Sequence, residues 1–336
     1  MIKPGPSTNN IAMDYSSILT FLYSQFFIVP EYPEKSCKGQ VFIVTGANVG
    51  LGLEASRHLV RLGADKVILA CRNLEKGEAA VKDIEQSTKR TGVAEVWSLD
   101  LSSFESVKEF AKKVDTLPRI DSIVENAGIS TTKFQVFEGN ESTITVNVIS
   151  TFLLALLVLP ALKRSAQRHN IQPRLTIVAS EVHHWTNIPE RNKRDSIFEA
   201  LASPEDSEMG IRYPVSKLLD VFGTRALVER TPSSYPVTIN TMNPGFCYSE
   251  LSRESSGIGF WLMYKLLART TEVGGRTLVA AALGSPETHG QYMSNSKVEE
   301  PSKFVRSEEG KKTQERVWAE LSAKLEQIQP GILQNI

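Results

Sequence analysis

A single repeating pattern governs what this chain can fold into: short apolar runs rich in β-branched residues, each followed by a stretch with helical periodicity. Val41–Thr45 (VFIVT) is the first such run, and Leu53–Leu62 behind it carries an apolar stripe at helical spacing. Lys66–Ala70 (KVILA) predicts a second strand, followed by a charged helix through Lys89. Ala94–Leu99, Ser122–Glu125, Leu175–Ala179, Val237–Met242 and Gln291–Ser294 predict further strands. Phe104–Val114 predicts a helix, as does Ser142–Leu162, which is apolar over much of its surface, as for a helix that is buried or lies at a dimer seam. Strands apolar on both faces belong to parallel sheets covered by helices on each side. Right-handed crossovers then give an α/β, doubly wound fold with a mainly parallel sheet of about seven strands.

The turn after the first strand reads Thr45-Gly46-Ala47-Asn48-Val49-Gly50-Leu51-Gly52. Glycines are needed where a backbone turns sharply and approaches a pyrophosphate, and a helix that starts there directs free N–H groups and its positive end at the phosphates. A glycine cluster alone is weak evidence, but its place between an apolar strand and a helix points to a dinucleotide and so to a Rossmann-type domain. Gly46, Asn48, Gly50, Leu51 and Gly52 are the candidate contacts. The second strand ends Leu69-Ala70-Cys71-Arg72-Asn73, without the acid that would accept hydrogen bonds from a ribose 2′-hydroxyl. Arg72, with Asn73 beside it, offers instead a forked, charge-assisted contact to a 2′-phosphate, which favours NADP(H) over NAD(H).

Four further motifs follow in order. Asn126-Ala127-Gly128 succeeds the fourth strand, Ser180 the fifth, Tyr213-Pro-Val-Ser-Lys217 lies beyond, and Asn243-Pro244-Gly245 succeeds the sixth. With the TGxxxGxG loop and Asn147 in the long helix, this ordered set resembles the short-chain dehydrogenase/reductase family over most of the chain, from about Gly39 to Gln291. The ACRN segment and the long spacing from Ser180 to Tyr213 are similar to the retinol-dehydrogenase-like branch, and NVGLG and NPGFCYSEL to fungal members that serve secondary-metabolite pathways.

The resemblance implies roles for these residues. Tyr213 would donate the proton in carbonyl reduction, Lys217 would lower its pKa and hold the nicotinamide ribose, and Ser180 would hydrogen-bond the substrate oxygen. Asn147 would support a water leading to Lys217. Asp100 would meet the adenine with Leu101 beside it, and Asn126, Ala127 and Gly128 would line the adenine ribose. Pro244, Gly245, Phe246 and Cys247 would flank the nicotinamide amide, with Ser249 standing where the family usually has threonine. The expected activity is NADPH-dependent reduction of a bulky apolar ketone or aldehyde. The rivals are a non-catalytic NADP(H)-binding sensor or scaffold and a membrane-associated reductase of retinoid type. A homodimer or homotetramer is also implied.

Composition narrows the partners. Thirty-eight basic residues balance 38 acidic ones, which gives no electrostatic case for nucleic acid. Cys37, Cys71 and Cys247 stand far apart, so neither a disulfide framework nor a metal site is expected, in keeping with a cytoplasmic protein. Residues 1–38 form an extension to a domain expected over 39–330. Its run Ile18–Pro30 is too short to span a bilayer, and a helix packed on the domain is preferred over a monotopic membrane anchor. Residues 184–212 are polar and irregular, as for a surface insertion; the apolar segment Gly257–Arg269 (GIGFWLMYKLLAR) reads as core, a dimer contact or a substrate lid, with a lid over 248–270 as the working expectation.

Overall fold

A computed structural model of the chain describes residues 15–249, 251 and 264–336. The predicted lid falls largely on residues 250 and 252–263, outside the described residues.

Eight strands form one sheet: β1 (Val41–Thr45), β2 (Lys66–Cys71), β3 (Ala94–Ser98), β4 (Ser122–Glu125), β7 (Arg174–Val178), β8 (Thr238–Asn243), β9 (Tyr292–Ser294) and β10 (Lys297–Glu299). A separate two-residue hairpin pairs β5 (Val136–Phe137) with β6 (Asn140–Glu141). The order across the sheet is β3-β2-β1-β4-β7-β8-β9-β10, parallel throughout except that β10 runs antiparallel to β9. The chain thus makes the doubly wound α/β fold, with β10 as an eighth strand. Its three exposed residues Lys-Val-Glu carry no apolar run by which to read it.

Side chains alternate across a strand, so each strand feeds two cores. In β1, Phe42 and Val44 enter the layer under α2 (Gly50–Arg61), α3 (Leu74–Thr88) and α9 (Thr271–Ala282). Ile43 enters the layer under α4 (Phe104–Asp115), α6 (Ser150–His169) and α8 (Arg212–Val228). The one-turn α5 (Ser142–Ile144) and a π-helical turn, Thr145–Ile149, lead into α6. This stretch is apolar and long enough to cross a membrane, but 89% of its most apolar window is buried inside the protein.

The 184–212 segment corrects the expectation of a surface insertion. Ile188, and Ile197, Phe198 and Leu201 of α7 (Ile197–Ala202) or its start, join the larger core. The last long helix, α11 (Glu308–Ile328), behind the short α10 (Lys303–Arg306), supplies Glu320, whose carboxylate accepts the N–H groups of Ile197 and Phe198. The segment's buried charges are paired, while Lys193, Arg194 and Asp195 stay exposed. Arg212 is fully buried, with its guanidinium 3.4 Å from both Glu141 and Glu190, themselves fully buried. The inward part of this polar sequence is thus held by opposite charges that neutralise one another.

The N-terminal α1 (Tyr15–Phe27) packs on the domain. Ser24 is buried, its hydroxyl 2.9 Å from Asn295, and Arg269 donates to the carbonyls of Ser24 and Ile28. Leu19, Tyr23, Phe26 and Phe27 are exposed on the outside of the helix.

Removing the buried cation should expose the anchoring of the insertion. Arg212→Ala, which leaves two buried carboxylates unpaired, is expected to cost about 3–5 kcal/mol. Arg230→Ala, which breaks an exposed pair with Glu315, should cost about 0–1 kcal/mol. Urea unfolding of both variants checks this, and equal midpoints would refute the anchoring role of Arg212.

Candidate active site

The glycine loop lies where β1 gives way to α2. Gly46 has φ +65°, and a Cβ there would come within 2.9 Å of Ala127 Cα. A Cβ on Gly52 would come within 2.6 Å of the Gly46 carbonyl oxygen. Gly50, at φ +60°, faces open space. The N-terminus of α2 has no side-chain cap, its N-cap being Val49. By contrast α3, α4, α7, α9 and α11 are capped by Asn73, Ser103, Ser196, Thr270 and Ser307. Free N–H groups and a backbone without Cβ atoms are what a pyrophosphate requires, so these residues fit a dinucleotide.

The neighbouring positions divide by what their side chains do. Asn126 donates its amide to the carbonyls of Thr45 (2.9 Å) and Gly46 (3.4 Å), so it braces the loop. The Thr45 hydroxyl accepts the N–H groups of Asn126 and Ala127. Asn73 caps α3 by accepting the Lys76 N–H, while Arg72 beside it is exposed and makes no ion pair among the described residues. The Asp100 carboxylate accepts from the N–H and hydroxyl of Ser102. At two positions expected at the cofactor the side chains turn inward, leaving the backbone as the group that could face it. Leu101 is packed in the core, where burial of its apolar side chain wins. Cys247 is buried against Gly274, and burial pushes its thiol up to about 12.

The motif residues from four elements converge at the C-terminal edge of the sheet. Tyr213 and Lys217 lie one turn apart on α8, with Lys217 Nζ 5.8 Å from the Tyr213 ring centroid. The Ser180 hydroxyl lies near enough to Tyr213 to act on its phenol. Burial pushes the phenol's pKa up, while the Lys217 ammonium and the Ser180 hydroxyl pull it down, leaving it raised overall. Lys217 donates to the Val178 carbonyl (2.8 Å) and to Asp220 (2.9 Å). Asn147 sits in the π-helical turn, a device common at functional sites. Its amide donates to the Ile129 carbonyl and the Ser216 hydroxyl, and its carbonyl oxygen accepts the Ile129 N–H.

The loop pair His183-His184 reads from the sequence as surface, and the structure corrects this for His183, while Gln25 carried no such reading. His183 is fully buried, its Nδ1 2.7 Å from the Ser180 carbonyl oxygen and its Nε2 3.1 Å from the Ser302 N–H. Those partners require the neutral tautomer with the proton on Nδ1, and burial followed by the His184 ring lowers its pKa to about 3. Gln25 of α1 donates to the carbonyls of Phe246 (2.8 Å) and Leu267 (2.9 Å) and accepts the Phe246 N–H, so α1 holds the loop after β8. The polar pair Ser24-Gln25 inside an apolar run was the available signal. Gly245 in that loop has φ +81° and donates its N–H to Asn243. Beside Ser180 a cavity of about 140 Å³ is lined by Glu181, His184, Trp185, Tyr292 and Arg306, among others. Burial pushes Glu181 up to about 7.

Comparison with known proteins matches residues 40–172 to the short chain dehydrogenase family. The chain is 50% identical over 321 residues to the short chain dehydrogenase/reductase dmxR8 of Cryptosporiopsis sp., covering 94% of this chain and 99% of that protein. It is 45% identical to the short-chain dehydrogenase anuD of Penicillium roqueforti, covering 97% and 88%. Among solved structures, an uncharacterised protein from Mycobacterium paratuberculosis superposes with a TM-score of 0.64 at 26% identity, covering 87% of this chain and 95% of that one. A short chain dehydrogenase from Escherichia coli CFT073, solved with NADPH, superposes with a TM-score of 0.56 at 21% identity, covering 79% and 99%.

The neutral His183 makes stability depend on pH. Its folded pKa lies below the ordinary value, so the unfolded chain binds more protons and stability is lost as pH falls from about 6.5 toward 3. The loss should reach about 3 kcal/mol near pH 4. Urea midpoints measured down the acid range should therefore fall less steeply in His183→Gln than in the parent, and identical slopes would refute the assignment.

Proposed function

The chain belongs to the short-chain dehydrogenase/reductase family of oxidoreductases, and on that footing we propose that it reduces a ketone or aldehyde with NADPH. Its substrate would be a bulky, apolar carbonyl of secondary-metabolite type. The observation that carries this reading is the buried Lys217, fixed by Val178 and Asp220 with its Nζ 5.8 Å from the Tyr213 ring, on the same sheet edge as the uncapped glycine-loop helix.

A bound nicotinamide dinucleotide would supply the hydride chemistry. The chain supplies the rest. Ser180 donates a hydrogen bond to the carbonyl oxygen, where negative charge develops. Tyr213, close to Ser180, would deliver its phenolic proton to the same oxygen. Lys217, held charged and aimed by Asp220 and the Val178 carbonyl, stabilises the tyrosinate that remains. Asn147 fixes the Ile129 backbone at the floor of the cleft, and Gly128, where a Cβ would stand 3.2 Å from Asn147 and 3.9 Å from Lys217, keeps the approach to the lysine open.

Preference for the phosphorylated cofactor rests on Arg72. The C-terminal end of β2 carries no acid, and the Arg72 guanidinium is exposed beside the α3 N-cap, free to fork onto a 2′-phosphate. A fold neighbour solved with NADPH is in keeping with this preference.

Fluorescence titration with NADPH and NADH, then absorbance assays over a panel of aromatic ketones, test the reading. Tyr213→Phe should lose turnover by about 10²–10⁴-fold and still bind NADPH. Retained turnover would remove Tyr213 from the chemistry. Arg72→Ala should weaken NADPH by about tenfold or more while leaving NADH unchanged, as for a lost hydrogen bond to a charged group. Equal weakening of both would assign Arg72 no part in the choice.

A further inference from the structure

Beneath Lys217 lies a charge arrangement that the proposed chemistry does not use. Glu125 ends β4, and alternation along the strand places it on the same face as Ile123, toward α8. It is 4% exposed, and neither of its carboxyl oxygens has a hydrogen-bond partner. Asp220, fully buried on α8, gives one oxygen to Lys217 at 2.9 Å, while its other oxygen has no partner. The two carboxyl groups interact electrostatically with each other. Among the described residues Lys217 acts on Asp220, and Asp220 in turn acts on Glu125 and on Tyr213. Facing them, β7 offers the apolar Ile177 and the Val178 carbonyl, and the π-helical turn offers the neutral Asn147.

The charges do not balance if every acid is ionised. Asp220 already engages the one ammonium, so an ionised Glu125 would have no counter-ion, and three oxygens would be left without a donor. Buried like charges at close quarters do not both ionise. One proton removes the surplus charge and supplies one of the missing donors. It belongs on Glu125, because Asp220 already has Lys217 as its counter-ion.

We propose that Glu125 and Asp220 form a one-proton carboxyl pair beneath Lys217, Glu125 being the neutral acid and Asp220 the counter-ion that holds Lys217 charged and in place. Both are positioning residues. Burial, followed by the charge of Asp220, raises the Glu125 pKa well above the ordinary range. Burial lifts Asp220 only to about 6, so it is ionised at neutral pH. The protonation state of the pair does not depend on any turnover; its importance for Tyr213 rests on the role proposed above.

The test reads the proton itself and needs no substrate, so its failure is distinct from failure of the reductase reading. An acid whose folded pKa is raised stabilises below its unfolded value, near 4.3, and that stability is lost as pH rises toward the folded value. Urea unfolding of the full chain from about pH 5 to pH 8 should therefore show Glu125→Gln gaining on the parent as pH rises. A constant difference over that range would overturn the proposal. Infrared spectra of the unsubstituted protein provide the second reading. At about pH 8, above the value for Glu181, a protonated carboxyl band should persist and should shift on ¹³C-glutamate but not ¹³C-aspartate labelling. Absence of the band, or its movement with aspartate label, would overturn the assignment even if Glu125→Gln did not fold.

Discussion

The ends of β1 and β4 are tied together, and the working edge of the protein is built on that tie. The Thr45 hydroxyl accepts two backbone N–H groups from Asn126 and Ala127, and the Asn126 amide returns two hydrogen bonds to the carbonyls of Thr45 and Gly46. The strands come so close that a Cβ on Gly46 would collide with Ala127. This is also where the strand order reverses, with β2 and β3 on one side and β7 onward on the other. In open α/β sheets ligands bind in the crevice that such a reversal creates. One cross-brace therefore fixes the glycine loop relative to the half of the sheet that carries Ser180, Tyr213 and Lys217.

The parts of the fold legible in the sequence were those with strands buried on both faces. Runs such as VFIVT and KVILA have no polar alternation because neither face meets water, and they correspond to β1 and β2 within a residue. The strand β10 was illegible because its residues are exposed. The motif residues Ser180, Tyr213, Lys217 and Asn147 could be picked out one by one, and the fold brings them to one edge. What could not be read was the company they keep. Arg212, Glu190, His183, Glu125 and Asp220 belong to residue types that are ordinarily solvated, and here each is buried. Nothing in a linear sequence distinguishes a charge that faces water from one neutralised by a residue tens of positions away.

These buried polar contacts cluster around α8. Arg212 at its first residue joins the 184–212 segment to Glu141 ahead of the π-helical turn, and Lys217 joins it to β7. Tyr213 lies between two cations, one of them fully enclosed. Such networks are weak as sources of stability but exacting in geometry, because any displacement strands a charge in a low-dielectric interior. The helix that presents the phenol thus has few alternative positions. His183 does the same for the facing side, linking the Ser180 carbonyl to the start of α10 through a ring that cannot accept a second proton without losing a partner.

The N-terminal helix extends this logic to the opposite wall of the crevice. Gln25 takes up both the N–H and the carbonyl of Phe246, and Arg269 takes up the carbonyls at the end of α1. Helix docking and loop conformation are therefore a single equilibrium rather than two. Thermodynamic reciprocity then applies: whatever free energy the docked helix contributes to ordering the loop for a dinucleotide, an occupied dinucleotide site returns in full to the helix. The leading segment would then report cofactor occupancy through its own protection from hydrogen exchange, at a distance from any group that touches the cofactor.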